Sequence, residues 1–331
     1  MSASRRHVAV VGAGRMGEGI ALAFAQAGLR VSLIDLKDRT PQARLRFFED
    51  SRNDLDVQMA SLVALKLIDT QQVRQLLGRI VLLTRAEADH ALRDCRLVFE
   101  AVPEVLEAKR EAFAWIDQRV AQDCVIASTT STFLVTELAS MVREPGRILN
   151  AHWLNPAHLM PLVEVSRSAQ TLDTVLADLL ETLRSIGKVP VVCSAAPGFI
   201  VPRLQALVMN EAARMVEEGV ASAEQIDLAV RTGFGLRFSV LGLLEFIDWG
   251  GGDILHHASA YLSSRLGSRY EAAQSVLDNM AAGRNGLRDG LGFYDYRNTD
   301  MNAYRHDRMT ALVERLRQVS LLPRFAAASQ G

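Results

Sequence analysis

Cysteine is nearly missing from this chain of 331 residues: Cys95, Cys124 and Cys193 are all there are. They lie far apart, and none has a second Cys or a His around it at metal-ligand spacing. That excludes a disulfide scaffold and a structural zinc site, and it points to reduced thiols in a cytoplasmic protein with no metal. An excess of charge of either sign is lacking too. Lys and Arg number 37 against 38 Asp and Glu, so no broad field exists to hold a nucleic-acid backbone or a membrane surface, and an anionic ligand must be held by local groups. No apolar run reaches bilayer-spanning length, and there is no internal repeat and no low-complexity or collagen-like tract. The first seven residues carry two arginines and lead straight into a short apolar run that ends in glycines, which reads as strand and turn and not as a signal peptide. What these absences leave is an ordinary globular protein whose expected partner is a small molecule, with neither nucleic acid nor membrane.

Apolar residues make up 49% of the chain, and its length exceeds what one hydrophobic core usually serves, so two domains are expected. Residues 8–11 are a β-branched run that meets Gly12, Gly14 and Gly17 in G-x-G-x-x-G spacing. Ile20, Ala21, Phe24 and Ala25 then recur at helical intervals, Gly28 closes that helix, and 30–35 forms a second strand ending in Asp35. The βαβ unit of about 30 residues gives each glycine a mechanical role, with Gly12 making the tight turn, Gly14 allowing close approach of a pyrophosphate and Gly17 letting helix pack on strand. Arg15 and Met16 complete the loop. Asp35 stands where a carboxylate takes both ribose hydroxyls, which favours NAD over NADP, while Lys37 nearby weighs the other way. The alternative, a plain Gly-rich turn beside a surface Asp, carries little weight with strand, turn, helix, strand and acid all in register.

A polar, amphipathic stretch over about 40–77 reads as an inserted helical arm. Further apolar segments at 80–83, 97–101, 124–127, 147–151 and 189–193, separated by helical patterns, predict a doubly wound parallel sheet. At Ser194-Ala-Ala-Pro-Gly198 the composition changes, and helices alone are expected beyond it, at 200–218, 223–232, 253–266, 271–282 and 302–319. The expected organisation is a Rossmann-type domain over 1–195 and an all-helical domain over 196–331. Residues 248–253, Asp-Trp-Gly-Gly-Gly-Asp, read as a helix-breaking surface turn.

Several segments together resemble the 3-hydroxyacyl-CoA dehydrogenase family, from the first strand to about residue 300. Val98-Phe-Glu-Ala-Val-Pro-Glu104 with Lys109 is similar to the family segment whose Glu and Lys lie beside the nicotinamide ribose. Ser128-Thr-Thr-Ser131-Thr is similar to the family's Ser-Asn-Thr-Ser-Ser, which implies that Ser131 binds the substrate hydroxyl. Asn150-Ala-His152-Trp-Leu-Asn155-Pro156-Ala-His158, continuing through Pro161-Leu-Val-Glu164, resembles the catalytic strand and loop, with His152 and Glu164 as its dyad. Hydride removal from an alcohol carbon needs a base for the hydroxyl proton; a carboxylate on the far ring nitrogen fixes the tautomer and stabilises the imidazolium. Taken alone, His152 reads as a satisfied core histidine and Glu164 as a surface carboxylate. Asn155 is read as a loop or substrate hydrogen-bonding group, and His158 as a residue near the substrate or a solvated loop side chain.

The resemblance continues through Pro197-Gly198-Phe-Ile-Val-Pro202-Arg203, Glu211-Ala-Ala-Arg214 and Gly290-Leu-Gly-Phe-Tyr-Asp-Tyr296. It implies reversible, NAD-dependent oxidation of an L-3-hydroxyacyl-CoA, a place in fatty acid metabolism, a substrate cleft between the domains, and a homodimer through the helical domain. Two departures stand out. Pro202 replaces an asparagine that bonds the substrate carbonyl, leaving Gln205 or Asn210 to compensate, and Leu243 replaces part of an expected Gly-Pro. Pro161 is closer to the carnitine and gulonate branches. A dehydrogenase of a free hydroxy acid, or of a small aromatic or carboxylate alcohol or aldehyde, therefore stands as the alternative, with Arg203 or His158 as its cationic contact; a non-catalytic NAD binder ranks last. For the thioester reading, Arg44, Arg46 and Arg52 of the arm are the candidates for CoA phosphates, or merely solvated helix charges.

Overall fold

The computed structural model describes residues 7–324; the opening segment 1–6, read above as leading into the first strand, and residues 325–331 lie outside the described residues. Two compact units divide at Met209, inside a helix. The first runs β1 (His7–Val11), α1 (Arg15–Gln26), β2 (Arg30–Asp35), α2 (Pro41–Ala64), α3 (Thr70–Leu77), β3 (Ile80–Thr84), α4 (Asp89–Arg93), β4 (Leu97–Glu100), α5 (Leu106–Asp117), β5 (Val125–Ser128), α6 (Val135–Ala139), β6 (Ile148–Trp153), β7 (Leu162–Arg167), α7 (Asp173–Ser185) and β8 (Val189–Ser194), then enters α8 (Val201–Glu217). Its sheet has the order β3-β2-β1-β4-β5-β6-β7-β8. This is a Rossmann-like domain followed by a helical one, the expected fold class.

Central strands β1, β4 and β5 are apolar except for His7, Glu100 and Ser128 at their ends, because helices cover both faces of the sheet. One face is filled by Phe24, Phe99 and Trp153, whose rings lie 5.4–6.2 Å apart, and the other by Phe113, Trp115 and Ile116. In the 40–77 segment, Thr40 caps α2 with Pro41 at its first position, and Asp69 with Gln72 forms a capping box on α3. Leu55, Met59 and Leu62 of α2 bury a small core of their own with Leu22 of α1 and Leu76 of α3.

One strand was not anticipated. Residues 162–167, read as loop continuing into a catalytic carboxylate, form β7, which pairs antiparallel with β6. The physical reason is connection length: only the eight residues 154–161 separate the strands, too few for the crossover that parallel pairing needs. The sheet is therefore parallel but for this pair.

The second unit, residues 210–331, holds the rest of α8 and α9 (Ala223–Ala229), α10 (Gly235–Phe238), α11 (Leu243–Gly250), α12 (Gly252–Leu266), α13 (Gln274–Ala281) and α14 (Met301–Gln318). The expected surface turn at 248–253 is corrected here. Asp248 is buried in α11 and accepts from the amides of Phe293 and Tyr294, both at 2.9 Å, and from the Tyr296 hydroxyl. The Gly-Leu-Gly-Phe-Tyr-Asp-Tyr segment is thus folded around one carboxylate. A Cβ on Gly292 would fall 2.1 Å from an Asp248 oxygen. The helix break is confined to Gly251, at φ +101°, which separates α11 from α12.

Candidate active site

The glycine loop is built as its spacing requires. Gly12 has φ +112°, and a Cβ there would lie 2.3 Å from the Ala101 carbonyl; one on Gly17 would lie 1.9 Å from the Gly12 carbonyl. At Gly14, by contrast, a Cβ would meet nothing within 4 Å. The loop is closed behind and open in front, and no side chain caps the α1 N-terminus that follows. Exposed helix-start amides in front of open space suit a pyrophosphate. That space belongs to a cavity of about 460 Å³, whose wall includes Gly12, Gly14, Arg15, Met16, Asp35, Glu104 and Ser131. The lining fits a dinucleotide, with Asp35 at the end of β2 and Glu104 after β4, on either side of β1. A larger cleft of about 580 Å³ opens beside His7, Arg30 and Cys95, at the N-terminal ends of the strands and away from the glycine loop.

Lys109 does not stand on the cavity wall. It is fully buried, 3.1 Å from both Glu100 oxygens and 3.2 Å from Glu104. Glu100 also accepts from the Ser128 hydroxyl and the Val102 amide. Burial pushes the Glu100 carboxyl up, outweighing the nearby Lys109 ammonium. For Glu104 burial acts in the same direction, but the Thr130 hydroxyl and Lys109 outweigh it and hold the carboxyl below the usual range. Lys109 is thus a brace behind Glu104, and the cavity sees the Glu. Glu100 was not anticipated; a carboxylate inside an otherwise apolar strand was the signal that should have flagged it.

His152 and Glu164 face one another as direct partners across β6 and β7. Nδ1 of His152 lies 2.8 Å from Oε2 of Glu164, and both side chains are buried. The other carboxylate oxygen, Oε1, accepts from the amides of Ile200 and Val201 at 2.8 Å each. Glu164 therefore holds the imidazole and the start of α8 together, with α8's positive end stabilising its charge. Phe199 stacks on the imidazole, centroids 5.3 Å apart and planes 6° from parallel. Its backbone is left-handed at φ +46°, a strained state that costs on the order of 1 kcal/mol or more. Since Nδ1 is engaged, Nε2 is the nitrogen left for a proton.

Ser131 lies on the cavity wall and makes no hydrogen bond to His152. Asn155 is exposed and precedes a cis proline, Pro156. The loop that carries it is tied down by Lys188, whose buried ammonium donates to the Ala157 and Met160 carbonyls at 2.7 and 2.8 Å. Burial and then that ammonium hold the half-buried His158 imidazole below its ordinary pKa. Lys188 went unrecognised, for a lone Lys before a strand gives no sign that it binds carbonyls 31 and 28 residues away. Pro202 occupies the first turn of α8 beside exposed Arg203 and Gln205. Since Glu164 takes the two preceding amides, the N–H that proline lacks is one the helix leaves unpaired anyway. Among the described residues no cluster of His, Cys, Asp or Glu could hold a metal ion, and no helix is long and apolar enough to cross a membrane.

The model of the 3-hydroxyacyl-CoA dehydrogenase NAD binding domain matches residues 7–196, and that of the family's C-terminal domain matches 198–296. The chain is 31% identical over 309 residues to the 5-formyl-3-hydroxy-2-methylpyridine 4-carboxylate 5-dehydrogenase of Mesorhizobium japonicum, covering 93% of this chain and 96% of that one. It is 33% identical over 293 residues to a probable 3-hydroxybutyryl-CoA dehydrogenase of Bacillus subtilis, covering 88% and 97%. A crystal structure of a 3-hydroxyacyl-CoA dehydrogenase from Archaeoglobus fulgidus aligns with a TM-score of 0.75 at 32% identity, over 96% of this chain and 100% of that one. With the two models together spanning the sheet and the helices as far as residue 296, the chain belongs to the 3-hydroxyacyl-CoA dehydrogenase family of NAD-dependent oxidoreductases acting on CH-OH groups.

Proposed function

We propose that the chain oxidises an L-3-hydroxyacyl-CoA to the 3-ketoacyl-CoA, reversibly, with His152 as the base. The observation that carries the base is the His152 and Glu164 pair, in which a buried carboxylate occupies Nδ1 and leaves Nε2 to take the hydroxyl proton, and the thioester is favoured by the likeness to a probable 3-hydroxybutyryl-CoA dehydrogenase over 88% of the chain. Bound NAD supplies the hydride acceptor. Glu164 keeps the reactive tautomer and stabilises the imidazolium; Phe199 fixes the ring plane. Ser131 holds the substrate hydroxyl, and Asn155 and His158 line the loop beside it. Gly12, Gly14, Arg15, Met16 and Gly17 hold the pyrophosphate, Asp35 the adenosine ribose, and Glu104, braced by Lys109, the nicotinamide ribose. On this reading Gln205 or Asn210 of α8 replaces the donor that Pro202 lacks. We infer a domain boundary near residue 195.

A free carboxylate or small aromatic alcohol or aldehyde is the second reading. It is favoured by Pro202 and by the likeness to a pyridine carboxylate dehydrogenase over 93% of the chain. NADH oxidation with acetoacetyl-CoA beside free acetoacetate, then NAD reduction across a panel of hydroxy acids and pyridine alcohols, separates the two. Turnover of the thioester alone supports the first; activity confined to a free acid sinks it. A His152→Gln variant that binds NADH but turns over at a near-normal rate sinks the base assignment under either.

We also infer a homodimer through the helical unit. Val220, Ile254 and Tyr261 of that unit are each at least 59% exposed. Large apolar side chains left on the surface of one helical unit favour an interface with a second copy. Sedimentation that returns a monomer at micromolar concentration refutes it.

A further inference from the structure

We propose that Arg39 makes the adenosine end of the cofactor site accept a 2′-phosphate, so that this protein binds NADP(H) as well as NAD(H). The inference rests on Asp35 facing the adenosine ribose. A lone carboxylate at the end of β2 repels a 2′-phosphate, whereas a nearby arginine accommodates one. This chain carries both. Nε of Arg39 lies 2.5 Å from Asp35 Oδ2, and the other carboxylate oxygen accepts the Lys37 amide at 3.3 Å. Asp35 is therefore already neutralised inside the cavity that its charge would otherwise guard.

Arg39 is also placed for a second partner. It commits only Nε to Asp35, so the two terminal nitrogens of its fork remain for an anion. Its guanidinium lies 4.1 Å over the Phe47 ring, which sets the plane of the fork before any ligand arrives. Arg39, Phe47, Asp35 and Lys37 all line the same cavity as Gly14. A fork held by an aromatic face, with a second cation beside it, is the arrangement that binds a phosphate bidentately. With NAD bound, Arg39 stays on Asp35, which keeps lone pairs for the ribose hydroxyls. With NADP bound, Nε stays on Asp35 and the two terminal nitrogens take the phosphate.

The test is direct binding of NADH and NADPH to the intact protein, read by nicotinamide fluorescence, for wild type, Arg39→Ala, Arg39→Lys and Asp35→Ala. Wild type should bind NADPH within about thirtyfold of NADH; a wider gap overturns the proposal. Arg39→Ala should weaken NADPH at least about tenfold more than it weakens NADH; equal weakening of both, or of neither, means the arginine only braces Asp35 and the proposal fails. Arg39→Lys keeps the charge and loses the fork, so it serves should the alanine variant misfold, with a smaller but still NADPH-selective loss expected. Asp35→Ala separates the two layers. If NADH affinity is unmoved by it, the ribose is not at Asp35 and the cofactor placement itself is wrong; if NADH weakens while the Arg39 variants do not discriminate, the placement stands and only this inference falls.

Discussion

Replacing Glu164 by Gln changes one oxygen to an amide nitrogen, and the surroundings dictate which one. Three donors or potential donors converge on this side chain: the Ile200 and Val201 amides on Oε1, and the imidazole Nδ1 on Oε2. The glutamine NH2 cannot face two backbone N–H groups, so its oxygen must stay with α8 and its NH2 must turn to His152. A donor at Nδ1 forces the other tautomer, with the proton on Nε2. The base is then blocked without being removed. Because general-base catalysis is worth about 10² to 10⁴ in rate, turnover should fall by about that factor, a barrier increase of about 2.7–5.5 kcal/mol. Both α8 amides keep an acceptor, so stability should fall by only about 1–2 kcal/mol. NADH affinity should not change. Glu164→Ala is the contrast: it leaves two amides and a buried imidazole with no partner, at about 3–5 kcal/mol. Steady-state turnover, NADH titration and urea unfolding on both variants make the test. If Glu164→Gln folds normally and keeps more than about a tenth of wild-type turnover, the tautomer argument is refuted and His152 is not the base.

Glu18 on α1 is buried against Ser51 of α2, and burial, against the Ser51 hydrogen bond, pushes its carboxyl up to about 7. The folded value lies above the unfolded one, so the folded state is favoured below pH 4.5 and loses that advantage as pH rises through 7; Glu18→Gln should stabilise by about 1–2 kcal/mol at pH 8, after discounting for solvent screening, and by nearly nothing at pH 4.5, as read by urea unfolding. Gly17→Ala puts a methyl 1.9 Å from the Gly12 carbonyl, so NADH binding should be lost with more than about 3 kcal/mol of stability; near-normal NADH affinity would refute the loop geometry. Asp248→Ala strips three donors of their acceptor, and proteolysis near residues 290–296 should accelerate sharply, about 3–5 kcal/mol being lost; unchanged cleavage counts against the clasp. Lys188→Met frees the Ala157 and Met160 carbonyls, so turnover should drop about tenfold or more at constant NADH affinity, and equal loss of both would mean the loop is not what Lys188 holds.

What could be read from the sequence is what depends on local pattern. The Gly12, Gly14 and Gly17 spacing is local, with Gly17 packing on the Gly12 carbonyl five residues back, and the largely apolar strands β1, β4 and β5 report burial on both faces. The helix starts near residues 201, 223 and 301 came from composition and capping residues. What escaped depends on partners remote in sequence. Glu100 and Lys109 form a buried pair whose meaning appears only when β5 brings Ser128 alongside. Asp248 looked like part of a glycine-rich turn because its three donors lie 45 to 48 residues away. Strand β7 was missed because Leu162-Val-Glu-Val is short and carries a carboxylate where alternation would put an apolar side chain.

The reversal imposed by the short connection is also what positions that carboxylate. In a parallel sheet, neighbouring residues of adjacent strands are joined by a crossover of a dozen residues or more, and the catalytic candidates would come from distant elements. The antiparallel return of β7 sets Glu164 directly opposite His152 on one rung, where paired Cβ atoms stand about 4.5–5.5 Å apart. A carboxylate placed on the inner rung of a sheet would be costly unless each oxygen were met. One oxygen meets the imidazole; the other meets the amides of α8. Those amides are on offer because a helix start has no internal acceptors for them, and Pro202 adds no further one. The chain reaches that start through Gly198 and Phe199, two consecutive left-handed residues at φ +75° and +46°, which also lay the Phe199 ring flat on the imidazole. The strained turn, the reversed strand and the proline thus serve a single requirement, that a buried carboxylate hold one histidine in one tautomer with its other nitrogen free.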